Sequence, residues 1–407
     1  MATPSLLLIP DRYKASKLYS QIPDSGAGDL SFTRVGDTAT RVNASGLIEN
    51  VLANIPRIDF TGGGCGKLLL EPQRTNLYLR SEQINDAAWV KVAGTVTENN
   101  SLAPDGAMTA DTFTADGTNA SHRFFQAVTA VSGTTYRVSY YVKRGTAEYV
   151  QIAISGAIPF GVTNFANFDL LLGVVGTTGG NQTNSQISYN AATGYYRISS
   201  QITATGSGAG QIDLVIVSSA SAPRLQAWVT SQSIVCWGAQ LEVGSYATSY
   251  IPTTSATVTR GADVCSKTGI SSLLGGTEGT WFLEMKYQPI SSSPNPTMSV
   301  SSLSSQIGIA SSGVNSLRVR INAVNDIIAS ANPTNRHKIA ISFNASGVVC
   351  FFNGVQLTLP NGASQVVSGL DQVNLENGTR HNDIEIYQMA YYQNTLSNAE
   401  LQTLTTL

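Results

Sequence analysis

Apolar and polar residues alternate with a period of two along most of this chain, a rhythm that predicts strands. In Tyr136-Arg-Val-Ser-Tyr-Tyr-Val-Lys, the side chains of Tyr136, Val138, Tyr140 and Val142 share one face. Tyr149-Val-Gln-Ile-Ala-Ile, Gly194-Tyr-Tyr-Arg-Ile-Ser-Ser-Gln-Ile and Gln211-Ile-Asp-Leu-Val-Ile-Val continue the pattern across turns rich in Gly, Asn and Thr. No helical periodicity intervenes, so residues 67–254 are predicted to form an antiparallel sandwich of jelly-roll type. Residues 255–278 read as a polar connector.

A second β block spans 279–407. Thr280-Trp-Phe-Leu-Glu-Met-Lys-Tyr, Ser316-Leu-Arg-Val-Arg-Ile-Asn and Lys338-Ile-Ala-Ile-Ser-Phe alternate. Val348-Val-Cys-Phe-Phe runs into Asn353-Gly354, a hairpin-turn signal. Asp383 opens a long last strand, and Ser397 with Glu400 predicts a capping box that starts one short closing helix. Residues 1–66 are less regular. A short strand ends at Pro10, and Phe32-Thr-Arg and Ala39-Thr-Arg-Val read as further short strands between turns. This stretch has too few apolar residues for a core of its own, so it reads as an attachment or packing arm.

Composition narrows the function. Charged residues make up 12% of the chain, about half the ~25% usual for soluble proteins. A surface of Ser, Thr, Asn and Gln follows, which suits strands and turns. With a net charge of −2 and no basic block, a nucleic-acid partner is not expected. No apolar run is long enough for a membrane span. Leu6–Ile9 is too short for a secretory core and has no positive charge before it, so no secretion signal is expected and the Asn43 and Asn377 sequons are expected to stay unused. Cys236 and Cys350 lie in apolar strand contexts and read as buried thiols. Cys65 and Cys265 lie in loop-like surroundings, where a disulfide between them is conceivable but disfavoured for a chain made in the cytosol.

The residues Leu69-Leu-Glu-Pro-Gln-Arg-Thr-Asn-Leu, Arg80-Ser-Glu with Trp89, Gly194-Tyr-Tyr-Arg-Ile-Ser, and Trp237-Gly-Ala-Gln-Leu-Glu with Tyr250-Ile-Pro-Thr-Thr carry a resemblance. Together they resemble the jelly-roll modules of tailed-bacteriophage virion proteins, related in shape to carbohydrate-binding modules. The family's usual Gly-Trp-Tyr-Arg strand has Tyr195 in place of its Trp here. Residues 279–407 are similar to concanavalin A-like (laminin G-like) sandwiches, through His337-Lys-Ile-Ala-Ile-Ser-Phe, Phe352-Asn-Gly, Ile386-Tyr-Gln-Met-Ala-Tyr-Tyr and Leu396-Ser-Asn-Ala-Glu-Leu. The resulting expectation is an all-β chain: two antiparallel β-sandwiches, jelly roll plus concanavalin A-like, after an irregular N-terminal arm.

The resemblance implies a non-enzymatic virion component, either a head fibre or decoration protein or a tail-fibre-like appendage. Such a protein is assembled in the host cytoplasm, touches other virion proteins and forms a homo-oligomer, with a trimer as the guess. Weak binding to host-surface glycans would gain from many copies. The alternative is a bacterial carbohydrate-binding protein, or the binding part of a polysaccharide-degrading enzyme. A glycan-cleaving spike is a third reading.

Aromatic rings stack on sugar C–H faces, which makes Trp89, Tyr141, Tyr195, Tyr196 and Trp228 candidates. A core position is the favoured reading for each, and Trp228, with polar neighbours, is the best surface candidate. Tyr141, Tyr196 and Trp228 are taken forward as glycan-binding residues. Trp237 and Trp281 read as core. Glycosidase chemistry needs paired carboxylates; Glu284 and Glu385 are single acids, and Asp383 shares a face with Glu385 in a strand that such sandwiches use structurally. His122 reads as a polar strand residue, and His337 and His381 as solvated. No catalytic residue, metal site or cofactor is expected.

Glu71 and Glu242 stand at the two chain ends of the first sandwich. A structural cation there is one reading and a salt bridge to Arg74 or Arg80 another. The stretches Leu68–Lys91 and Trp237–Thr254 are therefore expected to meet as a joint, with Glu71, Arg74 and Arg80 holding it.

Overall fold

The computed structural model describes residues 2–155, 159–287, 298–302, 305–313, 316–322, 324–328, 335–361, 363–377 and 384–407. The chain is an all-β protein whose sheets are antiparallel throughout. His381 and Asp383 lie outside the described residues.

Two six-stranded sheets form the first sandwich. One runs Val90–Val92, His122–Ala130, Gly208–Val217, Tyr149–Ser155, Asn164–Asp169, Val174–Gly179. The other runs Gly94–Ser101, Ala110–Ala115, Ser233–Val243, Thr135–Arg144, Tyr195–Thr203, Thr183–Asn190. Alternation does what the sequence predicts: Tyr136, Val138, Tyr140 and Val142 all enter the core between the sheets. Trp89 closes one end of that core, 5.0 Å from the Tyr78 ring and edge-on to Phe124 at 5.7 Å.

The second sandwich is assembled from both ends of the chain. Its eight-stranded sheet runs Val355–Leu357, Gly347–Phe352, His337–Asn344, Gly279–Tyr287, Ile384–Tyr392, Lys67–Leu70, Arg57–Asp59, and Leu6–Leu8 also pairs with Ile384–Tyr392. Facing it is a nine-stranded sheet. There Leu30–Thr33 and Gln372–Asn377 flank Val264–Thr268. Leu6, Leu8, Leu30, Phe32, Ile58, Leu68 and Leu70 are buried in the same core as Trp281, Leu283 and Ile386. These residues of the first seventy positions therefore fill a core whose other half comes from Cys265 onward, while Ile48 packs instead with Trp237 and Tyr250 on the first sandwich. Leu68–Leu70, which the sequence places at the opening of the first sandwich, pairs with Ile384–Ile386 of the second. Within the stretch read as a polar connector, Val258–Arg260 pairs with Arg74–Asn76, and Val264–Thr268 is a strand of the nine-stranded sheet. The first sandwich is thus threaded as an insertion between the two halves of the second.

Local signals act where predicted. Asn353 and Gly354 adopt φ values of 48° and 81°, the left-handed pair that a two-residue hairpin turn requires. Ser397 and Glu400 form a reciprocal capping box at the start of the Asn398–Thr405 helix. Leu401 of that helix covers Phe282, Phe351 and Tyr392 on the outer face of the eight-stranded sheet. Cys236 and Cys350 are buried thiols. Cys265 departs from its loop reading: it is a buried strand residue paired with Phe32, and Cys65 is exposed, so both are free.

Candidate functional site

The joint between the two sandwiches is a buried ionic network. Five of its members sit at strand ends: Arg34 after Leu30–Thr33, Arg57 at the start of Arg57–Asp59, Glu71 after Lys67–Leu70, Arg260 at the end of Val258–Arg260, and Asp263 before Val264–Thr268. All five are buried to within a few per cent. Arg57 bridges two acids. Its Nη1 donates to Glu71 Oε2 at 2.6 Å and its Nη2 to Asp263 Oδ2. Arg260 Nη1 reaches Glu71 Oε2 at 2.8 Å, and Arg34 Nη1 reaches Asp263 Oδ1 at 3.1 Å.

Ser249 ties the far end of the first sandwich into this cluster. Its backbone N–H and its hydroxyl both donate to the Glu71 carboxylate at 2.6 Å. One residue away, Thr248 donates its N–H and hydroxyl to Glu242 at 2.8 Å. The stretches Leu68–Lys91 and Trp237–Thr254 do meet. Beyond the charges, Asn76 Nδ2 donates to the Ala239 and Ile251 carbonyls, and Arg80 N–H to the Thr254 carbonyl.

Burial alone would raise the Glu71 pKa, but Arg260, Arg57 and the two Ser249 hydrogen bonds outweigh it and hold the carboxyl down at about 2. Burial works against the Arg57 charge, and Asp263 and Glu71 more than compensate, so its pKa is raised. Arg34 and Arg260 are shifted down, chiefly by burial. A buried ion pair persists best when its remaining polar atoms are also bonded. The carbonyls of Thr40, Val51, Leu52 and Ile55 accept from the Nη atoms of Arg57 and Arg34, while the Nε atoms of Arg34, Arg57 and Arg260 are buried without a hydrogen-bond partner.

The expected partners of Glu71 change accordingly. Its arginines are Arg57 and Arg260, not Arg74 or Arg80. Arg74 stands 3.9 Å from Glu242 and lies over the Tyr246 ring, and Arg80 pairs with Asp86 at 3.2 Å. Neither true partner lies in the segment that carries Glu71 in sequence. The available signal was a charged residue inside an apolar run, as in Pro56-Arg-Ile-Asp-Phe.

The three aromatic candidates are not brought together. Tyr141 and Tyr196 sit on paired strands but on opposite faces, because Tyr196 stands opposite Val142 and Tyr141 opposite Arg197. Tyr141 is buried with Tyr195, Trp237 and Tyr250 on the outer face of its sheet. Its ring is 5.7 Å from Trp237 and 6.3 Å from Tyr250. Tyr196 is half-buried and packs at 4.8 Å, with its ring tilted by 42°, against Tyr189, which is 57% exposed. Beside this pair the turn after Asn164–Asp169 exposes Leu171 and Leu172. Trp228 is half-buried, rests on the main core, and donates its Nε1 to the Ile216 carbonyl at 3.3 Å.

Other candidates are tied into local contacts. His122 is buried, with its ring nitrogens 2.6 Å from the Ala93 carbonyl and 2.9 Å from that of Trp228. His337, read as solvated, is buried and stacked on Phe352 at 5.0 Å, because it opens a strand whose neighbour brings Phe352 alongside. Glu284 pairs with Arg336 at 2.6 Å. Glu385 accepts from the Tyr387 hydroxyl at 2.8 Å and from Lys286 at 3.5 Å. Among the described residues, two shallow depressions on the second sandwich, around Leu357 and Val355, have no titratable side chain in their walls.

No family model matches this sequence, and no curated protein matches it. Solved structures align only loosely. The binding domain of Botulinum neurotoxin DC in complex with rat synaptotagmin II aligns at 11% identity and a TM-score of 0.28, over 35% of this chain and 39% of that one. The Ruminococcus gnavus IT-sialidase CBM40 bound to α2,3-sialyllactose aligns at 15% and 0.26, over 33% and 86%. Trypanosoma rangeli sialidase in complex with sialic acid aligns at 8% and 0.27, over 92% and 76%. The alignment thus spans about two fifths of the neurotoxin domain. At these scores the likenesses carry no argument about what this chain binds or does.

Proposed function

We propose that this chain is a non-enzymatic structural component of a tailed-phage particle, a fibre, decoration or tail-fibre-like appendage, that meets host-surface glycans weakly and through many copies. The observation that carries this reading is where the residues of the resemblance are used. Glu71, Asn76, Glu242 and Tyr250 are buried in the joint and hydrogen-bonded there, and Trp237 is buried beside Tyr250 at 4.5 Å with its Nε1 donating to Thr109. Residues spent on welding two sandwiches together suit a load-bearing projection. The neutral polar surface that a 12% charge content leaves suits a protein displayed on a particle. Copies would assemble symmetrically, and the Tyr189–Tyr196 pair is the ring surface offered to sugars.

The test is antibody-labelled electron microscopy of purified particles. Regular labelling at one structural position is the expected result; particles that lack the protein overturn the reading. A glycan array run in parallel separates adhesion from assembly, with Tyr189→Ala expected to lower any signal. Glycan binding by a protein absent from particles would favour the carbohydrate-binding alternative.

A further inference from the structure

The outer face of the sheet that carries Tyr141 holds more positive charge than its neighbours neutralise. Arg137 is fully buried. Its Nη1 donates to the Asn184 carbonyl at 2.5 Å, and its Nη2 to Gln186 at 2.8 Å and Ser199 at 2.6 Å. Two positions from Ser199, half-buried Arg197 donates Nη2 to the Thr248 carbonyl at 2.6 Å and to Ser139 at 3.1 Å, and lies over the Tyr141 ring. The Nε atoms of both arginines are buried without a hydrogen-bond partner. Among the described residues, neither has a carboxylate within ion-pairing distance. Glu242 stands opposite Arg137 in register, but its oxygens are taken up by Thr248 and Gln240. Burial first, and then the like charge of Arg197, press the Arg137 pKa down to about 9, with the charge of Glu242 opposing them only in part.

Two neighbouring guanidinium groups, screened from water and short of a counterion, form an arrangement that a small oxyanion would stabilise. A planar fork also matches carboxylate and sulfate geometry. We infer that Arg137 and Arg197 form the base of an anion-binding site for a carboxylate or sulfate group, with Arg197 contacting the anion and Arg137 setting the field behind it. The anion's source is either a free inorganic ion or an acidic sugar. The site goes beyond the particle reading and stands or falls separately, since no step of it requires a virion.

The experiment titrates the full chain with sodium sulfate and, separately, sodium glucuronate. Each is compared with sodium chloride at equal ionic strength and with glucose, following the thermal midpoint and the Arg Nε–Hε NMR resonances. The expected result is a saturable rise in midpoint with an oxyanion, shifts confined to the Arg137 and Arg197 resonances, and no response to glucose. Saturation by glucuronate at lower concentration than sulfate assigns the site to acidic sugars; the reverse order assigns it to inorganic ions. Arg197→Gln should weaken binding by about tenfold, the loss of one charge-assisted contact, and Arg197→Lys by less. Oxyanions no better than chloride, or equal saturation in folded Arg197→Gln, overturn the inference. The resonance shifts decide the matter in the unmodified chain if the variants fail to fold.

Discussion

At the scale of single residues, charge is used sparingly, and part of it is fully buried. Glu71 is the clearest case, since its carboxyl is bound by two arginines and by both donors of Ser249. Its pKa falls from an ordinary 4.5 to about 2 in the folded chain. The unfolded chain therefore takes up the proton first as pH drops. The stabilisation is complete above about pH 4.5, declines below it and is gone near pH 2, so thermal midpoints measured from pH 6 to pH 2 should fall most steeply in that window. In Glu71→Gln this part of the decline should disappear. Arg74 makes a useful contrast. It has one long contact to Glu242 and a ring beneath it, and its side chain is largely buried, so Arg74→Ala should cost about 2 kcal/mol in denaturant unfolding, the scale of a desolvated cation–π contact. The sequence identified Glu71, Arg74 and Arg80 as residues of a joint and offered Arg74 or Arg80 as ion-pair partners of Glu71 and Glu242; Arg74 does stand 3.9 Å from Glu242, but the arginines of Glu71 lie elsewhere. Burial was the missing information, because nothing in the order of residues tells that Arg57 and Arg260 converge on Glu71 across 14 and 189 positions.

At the scale of elements, the alternation of Tyr136–Val142 and of Thr280–Tyr287 was legible because apolar side chains repeat on the face toward the main core; that the other face is buried too, through Arg137 and Tyr141 in one strand and Phe282 and Glu284 in the other, was not. The Asn353-Gly354 turn and the Ser397–Glu400 cap were legible because their chemistry is local. Strand partners were not. Leu6–Leu8 registers with Met389–Tyr391 and Leu68–Leu70 with Ile384–Ile386, and pairing at that separation leaves no local periodicity behind. A stability consequence follows. A fragment spanning 264–407 lacks the strands that carry Leu6, Leu30, Ile58 and Leu68 into its core. It should remain unfolded by circular dichroism and near-UV signal, while a fragment spanning 71–260 keeps both sheets of the first sandwich and should fold. A cooperatively folded 264–407 would contradict the shared core. Tyr141 and Tyr196 illustrate the same limit: strand membership was readable, but on paired strands only the register decides that they face opposite ways.

At the scale of the molecule, the two sandwiches are held as one body by the joint, because Glu71 is bonded by Arg57 before the insertion, by Ser249 near its end and by Arg260 after it, while Asp263 ties back to Arg34 and Arg57. Removing one partner of a buried pair strands the other charge and costs about 3–5 kcal/mol, a large share of a typical folding free energy of ~5–15 kcal/mol. The most direct test is differential scanning calorimetry on the full chain and on Arg57→Gln, the residue that bridges Glu71 and Asp263. The account predicts one joint transition in the unmodified chain. In the variant it predicts a second transition at lower temperature, as the second sandwich uncouples from the first. Two separate transitions in the unmodified chain, with neither moved by Arg57→Gln, would contradict it.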